Sequence, residues 1–362
     1  MTFRPDTSVT LGMPKWRRGG CYTRQVKDSL LTALVLGSAA CTFDTSTVAT
    51  GFLDDADPGS PTDGATNDSV PGAADAALID GATSFDAAPP GCQDFGAFNS
   101  TTLVSQVNSN ATDNAPTLSA DELTMIFHSN RSGGQGNRDL WLARRTSIDQ
   151  PFTAPVNMTQ VNTSADELGP TLSGDGLVLY FGTNRSGGLG DYDVWKATRA
   201  STGDFFSAPV ALPSINSSTI DYFPFVTADG LSLYFASTRA GGVGNRDTWV
   251  STRATTTSEF PAPTLLAATN STADDVAMTL SADGLSFFIQ SDRAGASGGP
   301  DVWLATRQST AQPFSTPSNL SGVNSTSQDQ ATWLSLDGLR LYQASDRGTS
   351  WQIYLTERTC AD

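Results

Sequence analysis

The chain has 362 residues, 38% of them apolar, and carries a formal net charge of -16 at neutral pH. That length and apolar share can fill one large core or two modest ones. The charge excludes an electrostatic nucleic-acid binder, which needs clustered Lys and Arg against phosphate, and it speaks equally against anionic membrane surfaces as partners.

At the N-terminus, Lys15, Arg17, Arg18, Arg24 and Lys27 precede the apolar run SLLTALVLGSAA, Ser29 to Ala40. A basic region followed by a short apolar one without a polar stripe is the pattern of an export signal, here residues 1–40, too short to persist as a membrane span. The residues around Arg17 and Arg18 do not fit twin-arginine export. LGSAAC ends at Cys41 and resembles a bacterial lipoprotein processing box, with Ser38 where leucine is usual. Cleavage before Cys41 with a lipid on its sulfur is the preferred expectation; simple secretion after Ala40 is the alternative. With Thr42 following, the first implies an exported periplasmic or cell-surface lipoprotein of the outer membrane, held by its lipid alone. Of the four cysteines, Cys21 then leaves with the signal and Cys41 is consumed, so Cys92 and Cys360 remain as a disulfide pair in an oxidising compartment.

Residues 41–92 contain nine aspartates and no Lys or Arg, among Ala, Gly, Pro, Ser and Thr. Such a segment buries too little apolar surface to offset its ordering entropy, so an extended, self-repelling, disordered tether is expected.

From residue 93 to 362 a 54-residue period holds without a slip: Asp121, Asp175, Asp229, Asp283 and Asp337 keep it, as do Asn108, Asn162, Asn216, Asn270 and Asn324. Five periods fill the region, so a repeat architecture follows. In the unit from Gly169 to Asp221, PTLS (Pro170 to Ser173) and LVLYFGT (Leu177 to Thr183) are strand-type runs joined by a turn at Gly176. DVWKATR (Asp193 to Arg199) gives a third strand, and FSAPVAL (Phe206 to Leu212) a fourth that tolerates Pro209 at an edge. Four short antiparallel strands per unit make a propeller blade, hence an all-β, five-bladed β-propeller of four-stranded antiparallel blades. The second strands are apolar on both faces, as a blade sandwiched between neighbours requires. The chain ends after a third strand, Gln352 to Arg358, while residues 95–104 match a fourth; the N-terminal piece should therefore complete the last blade and remove two open edges.

The glycine-rich stretch NRSGGLGDYDVW, Asn184 to Trp195, recurs at Asn130, Thr238 and Asp292. A phosphate cradle would put a helix after the glycines, whereas a strand follows here, so the stretch reads as a hairpin loop. His128, the single histidine, falls at the register of Gly182 and Ala236 and reads as a strand residue rather than a ligand.

PTLSGDGLVLYFGTNRSGGLGDYDVW resembles the WD40-like repeat of TolB-type β-propellers, and the resemblance extends over residues 115–357, with Glu122 in place of the turn glycine and Met278 in place of the proline. It implies a periplasmic or cell-surface interaction scaffold more often than an enzyme.

Three functions compete. The preferred one is a non-catalytic, lipid-tethered scaffold of the cell envelope that binds a protein, the propeller itself being a monomer. A multivalent lectin with glycan sites at the blade junctions is second, its tryptophans stacking on sugars. A five-bladed glycoside hydrolase is third, because the repeat makes its carboxylates equivalent where catalysis needs unequal ones. No catalytic residue, cofactor or metal is assigned.

One constellation keeps the full period. Asp113, Glu167, Asp221, Asp275 and Asp329 precede the first strands, and Arg131, Arg185, Arg239, Arg293 and Arg347 lie in or beside the loops after the second. In a propeller these positions open on one face. The acids form either a carboxylate ring for a cation or cationic partner, or one bidentate ion pair per blade. Pairing is preferred, because acids and arginines are equal in number.

Overall fold

The computed structural model describes residues 94–361; the expected signal, Cys41, the expected acidic tether, Cys92 and Asp362 lie outside the described residues. The first strand, β1 (Ser100–Leu103), is followed by blade one, comprising β2 (Asp113–Leu118), β3 (Thr124–Ser129), β4 (Asp139–Arg144) and β5 (Val156–Asn157). Blade two contains β6 (Glu167–Leu172), β7 (Val178–Thr183), β8 (Asp193–Thr198) and β9 (Val210–Ala211). Blade three contains β10 (Asp221–Val226), β11 (Ser232–Ser237), β12 (Asp247–Thr252) and β13 (Thr264–Leu265). Blade four contains β14 (Asp275–Leu280), β15 (Ser286–Ser291), β16 (Asp301–Thr306) and β17 (Ser318–Asn319), and β18 (Asp329–Leu334), β19 (Arg340–Ser345) and β20 (Gln352–Glu357) belong to blade five. These make five four-stranded antiparallel sheets, the last ordered β1-β20-β19-β18. The strands β2, β6, β10, β14 and β18 touch one another in a closed ring and are the innermost. The protein is a five-bladed β-propeller.

The core lies between blades. Successive residues of a strand point to opposite faces, so Ile126 packs with Leu179 and Phe181 of blade two, while Met125 and Phe127 pack with Tyr342 and Ile353 of blade five. Each such side chain, fully buried, stabilises by roughly 1.5–3 kcal/mol. The repeated tryptophans Trp141, Trp249 and Trp303 are buried in these same layers.

The ring is closed by the N-terminal piece. Strand β1 runs antiparallel to β20, Ser100 opposite Glu357 and Leu103 opposite Tyr354. Phe98 is buried against Phe288 and Leu341. The repeated asparagines complete the arrangement: Asn162 accepts from the Leu140 N–H and donates to the Leu140 carbonyl, both at 2.9 Å. Asn108 does the same to Ile353 at 2.7 and 2.9 Å, so the last blade receives its clamp, like its outer strand, from the chain's beginning.

Two strand boundaries differ from the sequence expectation. The first strand of blade two starts at Glu167, three residues before Pro170, because the ladder bulges between Leu168 and Thr171 and the proline sits where no N–H is required. The fourth strand shrinks from Phe206–Leu212 to Val210–Ala211. Pro209 cannot donate to the ladder, and Phe206 leaves the edge to enter the core, with the Arg199 guanidinium 4.5 Å over its ring.

Cys360 forms an isolated antiparallel bridge with Phe95, three residues from Cys92 in sequence. A Cys92–Cys360 disulfide across this closure is expected, contributing at most roughly 5 kcal/mol by the loop-entropy account. Alkylation of the unreduced native protein, followed by mass spectrometry, checks it; free alkylation of both Cys92 and Cys360 counts against it.

Candidate functional site

The propeller has two faces. The loops between second and third strands open on one, here the loop face. The tight turns between first and second strands open on the other, the turn face.

On the loop face each acid of the repeat meets its arginine. Glu167 Oε1 accepts from Arg185 Nη2 at 2.9 Å and from Thr163 Oγ1 at 2.6 Å, while Oε2 accepts from the Thr163 N–H at 3.0 Å. Asp113–Arg131, Asp221–Arg239, Asp275–Arg293 and Asp329–Arg347 repeat the pairing. All five acids are 0% exposed. The contact is a single Nη2 bond rather than the bidentate fork expected. Arg185 Nε is taken by Thr183 Oγ1 at 3.3 Å, Nη2 also serves the Val161 carbonyl at 2.8 Å, and the guanidinium lies 5.2 Å from the Phe181 and Trp195 rings. Stacking and the hydroxyl fix the plane, so only one nitrogen reaches the carboxylate. Burial pushes the Glu167 carboxyl above its ordinary range, against the Thr163 and Arg185 bonds.

The glycine-rich loops do cradle an anion, and it is the chain's own. Asp193 Oδ2 accepts from the N–H groups of Leu189 and Gly190 at 2.9 and 3.1 Å. A Cβ on Gly188 would come 1.9 Å from that oxygen, which is why glycine stands there. Asp139 and Asp247 fill the same nest in their blades.

Where the five copies disagree, a different cluster forms. Asp166 accepts from Arg138 at 3.1 Å and from the Tyr192 hydroxyl at 2.8 Å. Tyr192 lies 6.2 Å from Tyr222, whose hydroxyl accepts from Arg246 at 2.6 Å, and Arg246 also grips Asp274 through Nε at 2.7 Å. The chain of contacts runs from blade one to blade four. Burial and the Asp166 bond push Tyr192 up to about 12. Burial alone would raise the Asp274 carboxyl, but the Arg246 bonds outweigh it and hold it below the usual range. Leu189 and Val243, on the same loops, are 59% and 49% exposed. These positions fall on the 54-residue register, but none carries the same residue in all five copies, so repeat markers miss them; disagreement among the copies is the signal that finds them.

Next to this cluster, Phe223 stands edge-on to Tyr222 with centroids 4.8 Å apart. Ala115, Gly169 and Phe223 have φ of 51°, 56° and 47°, each preceding a proline, whereas blades four and five carry Met278 and Thr332 at the proline position. Left-handed Ala and Phe are strained conformations, and such strain gathers at functional sites. A Cβ on Gly169 would stand 2.7 Å from the Phe223 ring. His128 lies edge-on to Phe223, centroids 6.3 Å apart, and its Nδ1 accepts the Gly169 N–H at 3.3 Å.

Burial, aided by Arg138, lowers the His128 pKa to about 3. The unfolded chain binds a proton near pH 6.5 and the folded one does not, so this group's stability is full above 6.5 and declines toward the folded value. The expected loss is at most about 1.4 kcal/mol per pH unit below 6.5. Denaturant melts of the native chain and of His128→Gln, which installs the residue blade four carries, check this. The variant should be flatter between pH 6.5 and 4.5; equal slopes would dismiss it.

On the turn face the axis widens into a cavity of 570 Å³. Five equivalent strand positions line it: Thr117, Thr171, Phe225, Thr279 and Trp333. A separate, small pocket of 10 Å³ is lined by Gly169 and Phe223 on the same innermost strands. Among the described residues no three His, Cys, Asp or Glu side chains converge as a metal site.

No protein-family model matches the chain, and no curated protein matches its sequence. Similar solved structures include TolB from Acinetobacter baumannii, 15% identical with a TM-score of 0.42, covering 69% of this chain and 56% of that one. The chain thus spans little more than half of that protein's length. A putative TolB from Agrobacterium tumefaciens is 16% identical with a TM-score of 0.42, over 69% and 79% of the two chains. Zg3597, a family 117 glycoside hydrolase from Zobellia galactanivorans, is 9% identical with a TM-score of 0.47, over 73% and 91%. At these identities the likeness is one of propeller fold alone.

Proposed function

We propose that the protein is a non-catalytic scaffold of the cell envelope, tethered by a lipid on Cys41, which docks a protein partner on its loop face. The observation that carries this is the cluster of Arg138, Tyr192, Tyr222 and Arg246, at positions whose residues differ between copies, beside exposed Leu189 and Val243. Tyrosine and arginine dominate the energetics of protein interfaces, and unpaired apolar side chains beside them supply area. Support for a non-catalytic role comes from the repeat carboxylates, each committed to a buried ion pair, and from a histidine held neutral within the core. The lectin reading needs free tryptophans at the blade junctions, and Trp141, Trp249 and Trp303 are instead packed between blades.

Cross-linking of the full chain in its native membrane, followed by mass spectrometry, tests the docking. A single dominant partner should be lost in the double variant Leu189→Asp, Val243→Asp while the melting temperature is kept. Retention of that partner by the double variant would remove the loop face from consideration. For the tether, Cys41→Ser should move the protein from the membrane to the soluble fraction; unchanged partitioning would speak for simple secretion.

A further inference from the structure

The turn-face cavity is not used by the loop-face docking, and its lining is selective. The five equivalent positions of the innermost strands share one orientation by the repeat, yet they carry Thr117, Thr171 and Thr279 in three blades and Phe225 and Trp333 in the other two. Hydroxyls and aromatic rings therefore face one chamber. Thr171 and Thr279 are 5% and 2% exposed, and neither hydroxyl has a protein partner among the described residues. Neither is sealed off, so both open onto the cavity they line. Both are therefore available to bond to whatever occupies the chamber, water or ligand. The Thr117 hydroxyl accepts from the Leu172 N–H at 3.4 Å and keeps its proton to donate.

The two aromatic residues are braced from behind. Trp333 stands edge-on to Tyr342 with centroids 5.8 Å apart, and Phe225 leans on Tyr234 at 6.2 Å. Charge is confined to the rim. Asp229 Oδ1 is held by its own turn, and the Arg307 guanidinium is spent on the carbonyls of Gly284 and Thr310. The lining thus carries one guanidinium, Arg307, against the two carboxylates Asp229 and Asp283, a balance that disfavours an anionic ligand. An aliphatic ligand would leave the threonine hydroxyls dry. What satisfies both kinds of wall is a neutral molecule with one apolar face and several hydroxyls, and 570 Å³ lies within the usual range for small-molecule sites.

We infer that this chamber binds the neutral terminal sugars of a glycan, with Trp333 and Phe225 stacking on C–H faces and Thr171 and Thr279 bonding to sugar hydroxyls. The residues of the tight turns line the chamber, so a chain end enters it from the turn face.

Titration of the full chain with a panel of neutral disaccharides (maltose, cellobiose, xylobiose and lactose), followed by tryptophan fluorescence and calorimetry, tests the inference. At least one should bind with a dissociation constant in the millimolar range or below and change the fluorescence. Trp333→Thr, which installs the residue three other blades carry, should weaken that binding at least tenfold, and Thr171→Val with Thr279→Val should weaken it at least fivefold. Leu189→Asp with Val243→Asp should leave it unchanged. No binding by any disaccharide at 50 mM overturns the inference, as does binding that both chamber variants retain. A short peptide that binds in place of the sugars and is lost in Trp333→Thr assigns the chamber to a protein terminus and equally overturns it.

Discussion

Arg185→Ala should lower the folding stability by about 3–5 kcal/mol, the cost of leaving a buried charge without its partner. Glu167 is fully buried, and the substitution strips its carboxylate of the 2.9 Å bond to Arg185. It also leaves the Val161 carbonyl without the guanidinium and uncovers the Phe181 and Trp195 rings. Adding Glu167→Gln should recover part of the loss, because the uncompensated charge is then gone. Urea melts of the three chains measure this. Millimolar calcium should leave the native melting temperature unchanged, since the five acids expose no oxygen to solvent. An unaltered melt for Arg185→Ala, together with a calcium-dependent rise for the native chain, would favour the carboxylate ring instead.

Deletion of residues 95–104 should have the second large effect. It removes β1, the burial of Phe98, and the hydroxyl contact of Thr101 with Thr356 at 2.9 Å, and it leaves the four residues of β20 paired with β1, Tyr354 to Glu357, as an open edge. Losing a buried phenylalanine alone costs about 3–5 kcal/mol, a large part of the roughly 5–15 kcal/mol that holds a domain together. The shortened chain should therefore melt without cooperativity or associate through the bare strand. Size-exclusion chromatography and a thermal melt decide it, and a monodisperse monomer with the native melting temperature would show that the latch is dispensable. Phe98→Ala is the milder companion and should cost about 3–5 kcal/mol without opening the edge.

The sequence made the five blades legible because a propeller repeats its physics. Each turn needs a left-handed residue, each third strand needs a buried flank, and each acid needs its arginine, so the same letters return every 54 residues. Even the exception can be rationalised. Glu122, in the glycine position with φ of 60°, is buried and clamps Arg340 of the fifth blade at 2.6 Å, tying the first blade to the last. Strand ends were less legible, because Pro170 hides a bulge within a continuous strand and Phe206 prefers the core to the edge. The loop-face cluster and the axial chamber were not legible from periodicity at all. Their residues are Arg138, Tyr192 and Arg246 at one register and Thr171, Phe225 and Trp333 at another, positions that vary between copies. Their meaning depends on which copies stand side by side around the ring.

The asparagine clamps carry a consequence for behaviour in concentrated solution. Each clamp does with one side-chain amide what a longer outer strand would do with two peptide groups, so the outermost strands of blades one to four are only two residues long. A neighbouring molecule approaching the rim of those four blades therefore finds almost no ladder to extend, even though Val156 and Val210 offer it 65% and 52% exposed apolar side chains. Contacts at those four blades are limited to weak side-chain adhesion, which dilution reverses, and their rim is a poor seed for the cross-strand zippering that turns crowded β-proteins into fibres.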